Sequence, residues 1–255
     1  MNSVMVTRVT ETQWQAVEDD RIVGHGDVSQ RPDGRLFVSI DVWQDAVFGR
    51  LAAAILADLP APLHTLVGKD DLDLKSRWEQ LGFTAGRREW EYVLSTDPRE
   101  TGLGAVRPPA GVTILPGGEA DERLLHALDA AIREEVEAGV GWRTMPAEVL
   151  PRPTVPMPPD PSQYTVAVRD GAYVGFVRVA PVPRRARIGL VAVRADRQRQ
   201  GIGRALLAHA LGSLSRDAGI DSAWAEVDES NTAAMALFAG IGARRAGGNL
   251  ELVRR

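Results

Sequence analysis

The sequence predicts an α/β (α+β) fold made of two tandem copies of one unit. Three observations carry this. Strand-like and helix-like runs interleave along all 255 residues. The order strand, helix, strand, helix occurs twice, and VFGRLAAAILADL in the first half resembles GIGRALLAHALGSL in the second. Between the halves lies STDPRETGLGAVRPPAG, residues 95–111, which is polar, rich in proline and glycine and free of periodicity, and so reads as a linker. The expected boundaries are 1–97 for a degenerate first domain, 98–111 for the linker and 112–255 for the second domain.

In the first half, TQWQAVED and DRIVGHGDV have strand character, and RPDGR closes a hairpin into LFVSIDVW. A helix over VFGRLAAAILADL follows, then the strand HTLVG, a helix through LKSRWEQLG and the strand EWEYVLS. The second half opens with the strand GVTILP. The next run, DERLLHALDAAIREEVEAG, is an amphipathic helix with Leu124, Leu128, Ile132 and Val136 spaced by four. WRTMPAEVL fits a second short helix, and PRPTVPMPPDP holds too much proline for helix or central strand. Strands resume at QYTVAVRDG, AYVGFVRVAPV and ARIGLVAV; then come the helix after RQRQGIGR, the strand DSAWAEV, the helix NTAAMALFAGIG and the strand NLELVRR. The first copy lacks room for the leading helices of the second.

Composition excludes several functions. Hydrophobic residues are 44% and charged residues 25%, as in a protein that buries a core in water. The net charge of −4 argues against a nucleic-acid partner. Cysteine is absent, and His25, His64, His126 and His209 lie far apart, so no metal site is expected. No run is long enough to span a membrane and the first residues lack a signal-peptide core; a cytoplasmic protein is expected.

The chemistry-bearing segment is RQRQGIGRALLAHAL, which begins at Arg197. A helix N-terminus presents unpaired backbone N–H groups and a partial positive charge. Gly201 and Gly203 lie between the strand GLVAV and that helix, where a backbone without Cβ atoms approaches an anion closely. From 184 to 204 there are seven arginines (184, 185, 187, 194, 197, 199 and 204) against one acid, Asp196, an anion-binding field in an acidic protein. The same residues also suit a tight structural turn beside a solvated basic edge. A G-x-G-x-x-G fingerprint is not met, and no Gly-Lys-Ser/Thr follows.

GLVAVRADRQRQGIGRALL followed by AEVDESNTAAMALFAGIGA resembles the GCN5-related N-acetyltransferase (GNAT) family, closely from about Ile188 to Ala243. It is nearest to members that acetylate ribosomal-protein N-terminal amines, and the tandem arrangement is similar to two-copy members. The resemblance implies that each copy is a mixed, mainly antiparallel, twisted sheet flanked by helices, with a splayed central strand pair at the CoA site. It implies acetyl-CoA as co-substrate, and a small-molecule or peptide amine as acceptor. Val191 and Val193 would offer backbone groups to the pantetheine and thioester. Arg199, Gln200, Gly201, Ile202, Gly203 and Arg204 would line the pyrophosphate, and Asn231 would hydrogen-bond the pantetheine arm. Val191 and Val193 equally suit a core strand, and Asn231 a helix N-cap.

Acetyl transfer needs a neutral amine, and an amine with a pKa of about 10 is almost wholly protonated at pH 7, so a base is required. Glu226 stands where the related enzymes carry their catalytic glutamate; Asp228 and Glu229 are runners-up. On an alternating strand Glu226 shares a face with Trp224, which suits a cleft or solvent. Where the family has a tyrosine that protonates the leaving thiolate, this chain has Phe238; Tyr164 and Tyr173 remain substitutes. A non-catalytic acyl-CoA-binding or interaction module is the alternative function. In the first copy, Val47 stands for the first glycine, Asp45 puts a carboxylate where phosphate would sit, and Leu66, Asp71 and Trp78 stand for Glu226, Asn231 and Phe238. Arg50 alone is basic beside that turn.

The acidic helix bearing Glu134, Glu135 and Glu137 either attracts a cationic acceptor or is a solvated face. The loop from Pro146 to Pro161, with Trp142, Met145 and Met157 near it, is a lid or a surface connection. The chain is expected to act as a monomer with a pseudo-dimer arrangement, or as a homodimer.

Overall fold

The computed structural model describes residues 4–31, 34–139, 141–145, 160–217 and 219–255. Met157, most of the proline-rich loop, most of WRTMPAEVL and the tip of RPDGR lie outside them. The chain forms two compact units, Met1–Arg88 with Asn249–Arg255, and Glu89–Gly248.

In the first unit, β1 (Met5–Arg8), β2 (Gln13–Glu18), β3 (Arg21–Gln30) and β4 (Leu36–Val42) pair antiparallel in sequence order. β1 was not foreseen; it is short and mostly exposed. Helix α1 (Asp45–Asp58) crosses to β5 (Leu63–Gly68), which runs parallel to β4. Helix α2 (Leu72–Gln80) begins at an Asp71 side-chain cap. Its Trp78 packs edge-on against Phe48 and Phe83 in a buried core with Leu51 and Ile55.

The second unit repeats the plan and adds a helix. β7 (Val112–Leu115) leads to α4 (Glu122–Ala138), then β8 (Tyr164–Arg169), β9 (Ala172–Val182) and β10 (Arg185–Val193), antiparallel in order from β7. Helix α5 (Ile202–Asp217) crosses to β11 (Ser222–Asp228), parallel to β10, and α6 (Thr232–Gly240) follows. The buried face of α4 is Leu125, Leu128, Ile132 and Val136; Leu124 is 40% exposed. The spacing of four was one residue off at its start, because the apolar stripe drifts with the 3.6-residue period.

The linker is partly ordered. Asp97 caps a short helix, α3 (Pro98–Thr101), and Leu103 is buried in the second core. WRT at 142–144 forms a 3₁₀ turn rather than the start of a helix.

Each copy ends in a long strand, and these final strands are exchanged. β6 (Thr84–Ser95) follows α2, but its residues Glu89–Ser95 pair antiparallel with β11 of the second unit. β12 (Arg244–Arg254) follows α6, but Asn249–Arg254 pair with β5 of the first unit. The first copy thereby contributes a strand to the unit that carries the glycine turn.

Candidate active site

In the second unit the parallel ladder between β10 and β11 has three register pairs and ends at Arg187↔Trp224. β10 then has a bulge between Ile188 and Leu190 and continues to Val193 bonded to β9. Beyond the bulge β10 and β11 diverge, leaving a V whose arms are residues 190–193 and 225–228. Val191 and Val193 lie on the first arm, with their side chains packed toward the core under α5 and α6.

The V closes at the turn from β10 into α5. Arg199 has φ 62° and Gly201 φ 85°, so two nearby residues hold left-handed backbone, where an added side chain is strained. Gly203 lies over the V: a Cβ there would stand 3.7 Å from Leu237 and 3.9 Å from both Val191 and Val193. The space a side chain would fill is thus next to the diverging strand. Ile202 is buried, so only its backbone faces the turn. Gln200 takes a hydrogen bond from Arg169 at 2.8 Å, and Gln198 donates to the Val193 carbonyl at 3.1 Å. Arg169, on β8, was missed, because nothing in sequence joins it to a turn some thirty residues on.

The arginine field is divided. Arg185 pairs with Glu91 at 3.7 Å, Arg187 with Glu226 at 2.6 Å, Arg194 with Glu135 at 2.6 Å and Arg197 with Asp196 at 3.3 Å. The partners Glu91, Glu226 and Glu135 are distant in sequence, which is why the run looked uncompensated. Arg199 and Arg204, which flank the glycine turn, form no ion pair among the described residues. An anion at this helix start meets two free guanidinium groups and the backbone N–H groups of the first turn. The donors fit a pyrophosphate. Among the described residues no cluster suits a metal ion.

Glu226 points away from the α5 and α6 core. Its neighbours Ala225 and Val227 are buried in that core, so alternation puts Trp224 and Glu226 on the opposite face. Across β6 its register partner is Glu91. Like charges directly opposite repel, and arginines from β10 compensate both. On the core side, Phe238 is 4% exposed and stacks on Tyr92 with centroids 5.5 Å apart.

All three tyrosines are otherwise engaged. The Tyr92 hydroxyl accepts from Arg245 at 3.0 Å and stands on β6, across β11 from the V. The Tyr173 hydroxyl accepts from the Asp121 backbone at 2.9 Å at the start of α4. Tyr164 lies on β8 beneath α4; burial pushes its hydroxyl above the ordinary tyrosine range, and Arg178 partly offsets this. None of the three stands at the position of Phe238.

Two further groups of side chains have partners within the fold. Asn231 caps α6, accepting from Ala234 at 3.0 Å, and its amide donates to the Thr144 carbonyl at 3.1 Å. It tethers the turn at 142–144 to α6. Glu135 binds both the Arg194 guanidinium and the Ala195 backbone, raising the Arg194 pKa, and Glu137 accepts from Trp142 at 2.7 Å. Of the acidic residues on α4 singled out in sequence, these two therefore fasten the fold.

A model of the acetyltransferase (GNAT) family matches residues 137–243, a span that holds the V, the glycine turn and Glu226. Mycothiol acetyltransferase of Thermobispora bispora is 33% identical over 229 residues, 85% of this chain and 74% of that protein. Ribosomal protein bS18-alanine N-acetyltransferase of Escherichia coli K12 is 39% identical over 74 residues, 29% of this chain and 49% of its own length. Among solved structures, a tandem GNAT protein from the clavulanic acid biosynthesis pathway matches with a TM-score of 0.66 at 16% identity, covering 94% of this chain and 81% of that one. That likeness concerns fold alone. The similarity to the mycothiol enzyme over most of both chains, together with the diverging strands and glycine turn inside the family segment, establishes that this chain belongs to the GNAT family of acetyltransferases.

Proposed function

We propose that the second copy, residues 112–255 with the exchanged strand β6, binds acetyl-CoA and transfers its acetyl group to the amine of a small molecule or peptide in the cytoplasm. The observation that carries this reading is the V between β10 and β11, with a glycine turn and two unpaired arginines at one end and Glu226 on its second arm. Backbone groups of Val191 and Val193 would hold the pantetheine and thioester. Arg199, Arg204 and the N–H groups from Gly201 to Gly203 would hold the pyrophosphate. The co-substrate supplies an activated acyl group with a thiol leaving group.

Glu226 takes a proton from the acceptor ammonium, the freed nitrogen forms the new C–N bond as the C–S bond breaks, and the second N–H proton that the amide gives up passes to the departed thiolate or to water. The sulfur leaves with the bond's electron pair. A thiol with a pKa of about 8.5 leaves as a thiolate without a protein acid, which suits Phe238 in place of tyrosine. Arg187 orients the Glu226 carboxylate through their 2.6 Å contact. The first copy, 1–97, serves as a structural partner, so that one chain has the plan of a dimer.

Phe238 also favours a second reading, a module that binds acyl-CoA without turnover. A screen of amine acceptors for CoA release by purified protein with acetyl-CoA separates the two. Release that depends on an amine supports transfer. Tight CoA binding with no release for any amine supports the second reading.

A further inference from the structure

Resting on the acetyl-transfer reading, we propose that the acceptor is an amine that carries its own anionic group. Arg178 holds the anion and Glu226 receives the amine.

Arg178 lies on β9 between Val177 and Val179, both buried in the core under α5. Alternation turns it to the opposite face, the one covered by α4. Its register partner is Leu190, the first residue past the bulge. A Cβ on Gly189 would sit 2.9 Å from Arg178 Nη2 and 3.1 Å from its Nε. The guanidinium thus lies directly on the β10 backbone at the point where β10 leaves β11.

The arginines on β10 and just beyond it behave differently. Arg185, Arg187 and Arg194 each have a carboxylate partner. Arg178 lies near the Tyr164 hydroxyl and lowers its pKa against the effect of burial, and among the described residues no carboxylate pairs with Arg178. A half-buried guanidinium without a counter-charge is costly to keep. Its cost is offset when an anion binds.

Two residues from Gly189, Arg187 reaches Glu226 on the same face. A bound amine therefore meets a carboxylate with a cation on either side: Arg187 paired to it and Arg178 across the bulge. A simple ammonium is attracted by Glu226 and repelled by both arginines. An amine that brings a carboxylate or similar group meets Glu226 with one end and Arg178 with the other, and so supplies the counter-charge that Arg178 lacks.

The test uses glycine, β-alanine and 4-aminobutyrate, each beside its own primary amide, with CoA release as readout. A carboxylate keeps its neighbouring ammonium protonated more strongly than an amide does, so intrinsic reactivity at neutral pH favours the amides. The proposal expects the reverse: at least one acid exceeds its amide by about tenfold or more in kcat/KM. Arg178→Met should abolish that preference, and Arg178→Lys, which keeps the charge, should retain part of it. Since the acid-to-amide ratio is internal to each variant, partial loss of folded protein does not mimic the effect. Amides equal to or better than their acids in the unaltered protein would overturn the proposal, as would a preference that survives Arg178→Met. If acetyl-CoA binds and none of these amines reacts, the zwitterionic acceptor is wrong and acetyl transfer remains to be judged on other amines. If acetyl-CoA does not bind, the reading of the site itself fails.

Discussion

The two copies share a β-α-β-α-β scaffold, and in both the parallel ladder is short: two pairs between β4 and β5, three between β10 and β11. They differ in what fills the equivalent positions. In the second copy the helix after the diverging strand begins with Gly201 and Gly203, flanked by Arg199 and Arg204. In the first it begins with Asp45 and Val47; Val47 is fully buried, and Asp45 pairs with Arg77 at 2.9 Å. Arg50, expected to be the lone basic residue there, is joined by Arg77 from α2, and both are occupied, Arg50 by the Val4 carbonyl. The exchanged strands make the same point on the other face. Glu91 lies opposite Glu226, and Glu251 lies opposite Leu66, the equivalent position. Glu251 is buried and takes bonds from Arg35 and His64, both at 2.8 Å, whereas the Glu91 side chain is 35% exposed. One copy fills these positions with buried, internally paired side chains, and the other leaves them partly exposed.

The largest effect is expected at the open copy. Glu226→Gln should leave CoA affinity unchanged and lower turnover by about 10² to 10⁴, with the loss shrinking as pH rises and free amine becomes abundant. Steady-state rates across pH measure this; an unaltered rate at pH 7 removes Glu226 from the chemistry.

Next comes the contrast between the paired glutamates. Glu251→Ala leaves Arg35 and His64 without their buried partner and should cost about 3 kcal/mol of stability. Glu91→Ala breaks a long, partly exposed contact and should cost about 1 kcal/mol or less. Denaturant titration of both variants compares them directly, and equal losses would erase the distinction between a closed and an open cleft.

A smaller difference is the pH response of the two crossing helices. His209 in α5 occupies the place of Ile55 in α1, and its buried Nδ1 has no hydrogen-bond partner among the described residues. Burial, helped by Arg216, pushes its pKa below the usual histidine value. The unfolded chain therefore binds the proton more readily than the folded one. The stability His209 contributes is present above about pH 6.5 and is lost as pH falls through its lowered folded value. His209→Leu should flatten that part of the stability–pH curve; a variant with the same acid slope as the parent would exclude His209 as its cause.

Most of the fold was legible because local signals and the duplication agreed. Glycine before α5, the apolar spacing in α4 and the alternation in AWAEV each act through near neighbours in sequence. The strand exchange was not legible, since EWEYVLS and NLELVRR are strands whichever copy they join. That ambiguity hid Glu91 and Tyr92 from the site. Arg178 was hidden differently: its strand, AYVGFVRVAPV, is apolar on both faces, and one arginine within it marks a face only once Gly189 is seen to lie under the guanidinium. The arginine run was legible as charge but not as pairing, because its carboxylates come from three other elements.

The central claim, that one copy is open to CoA and the other closed, is tested most directly by calorimetric titration with CoA. One equivalent per chain is expected. Gly201→Val should abolish binding, but at φ 85° it also strains the backbone. Arg199→Gln with Arg204→Gln, which leaves the backbone alone, should therefore be titrated beside it and should weaken binding by at least about tenfold, each lost charged hydrogen bond costing about 1.5–3 kcal/mol. Two equivalents per chain, or one that persists undiminished in both variants, would show that the first copy binds CoA and contradict the account.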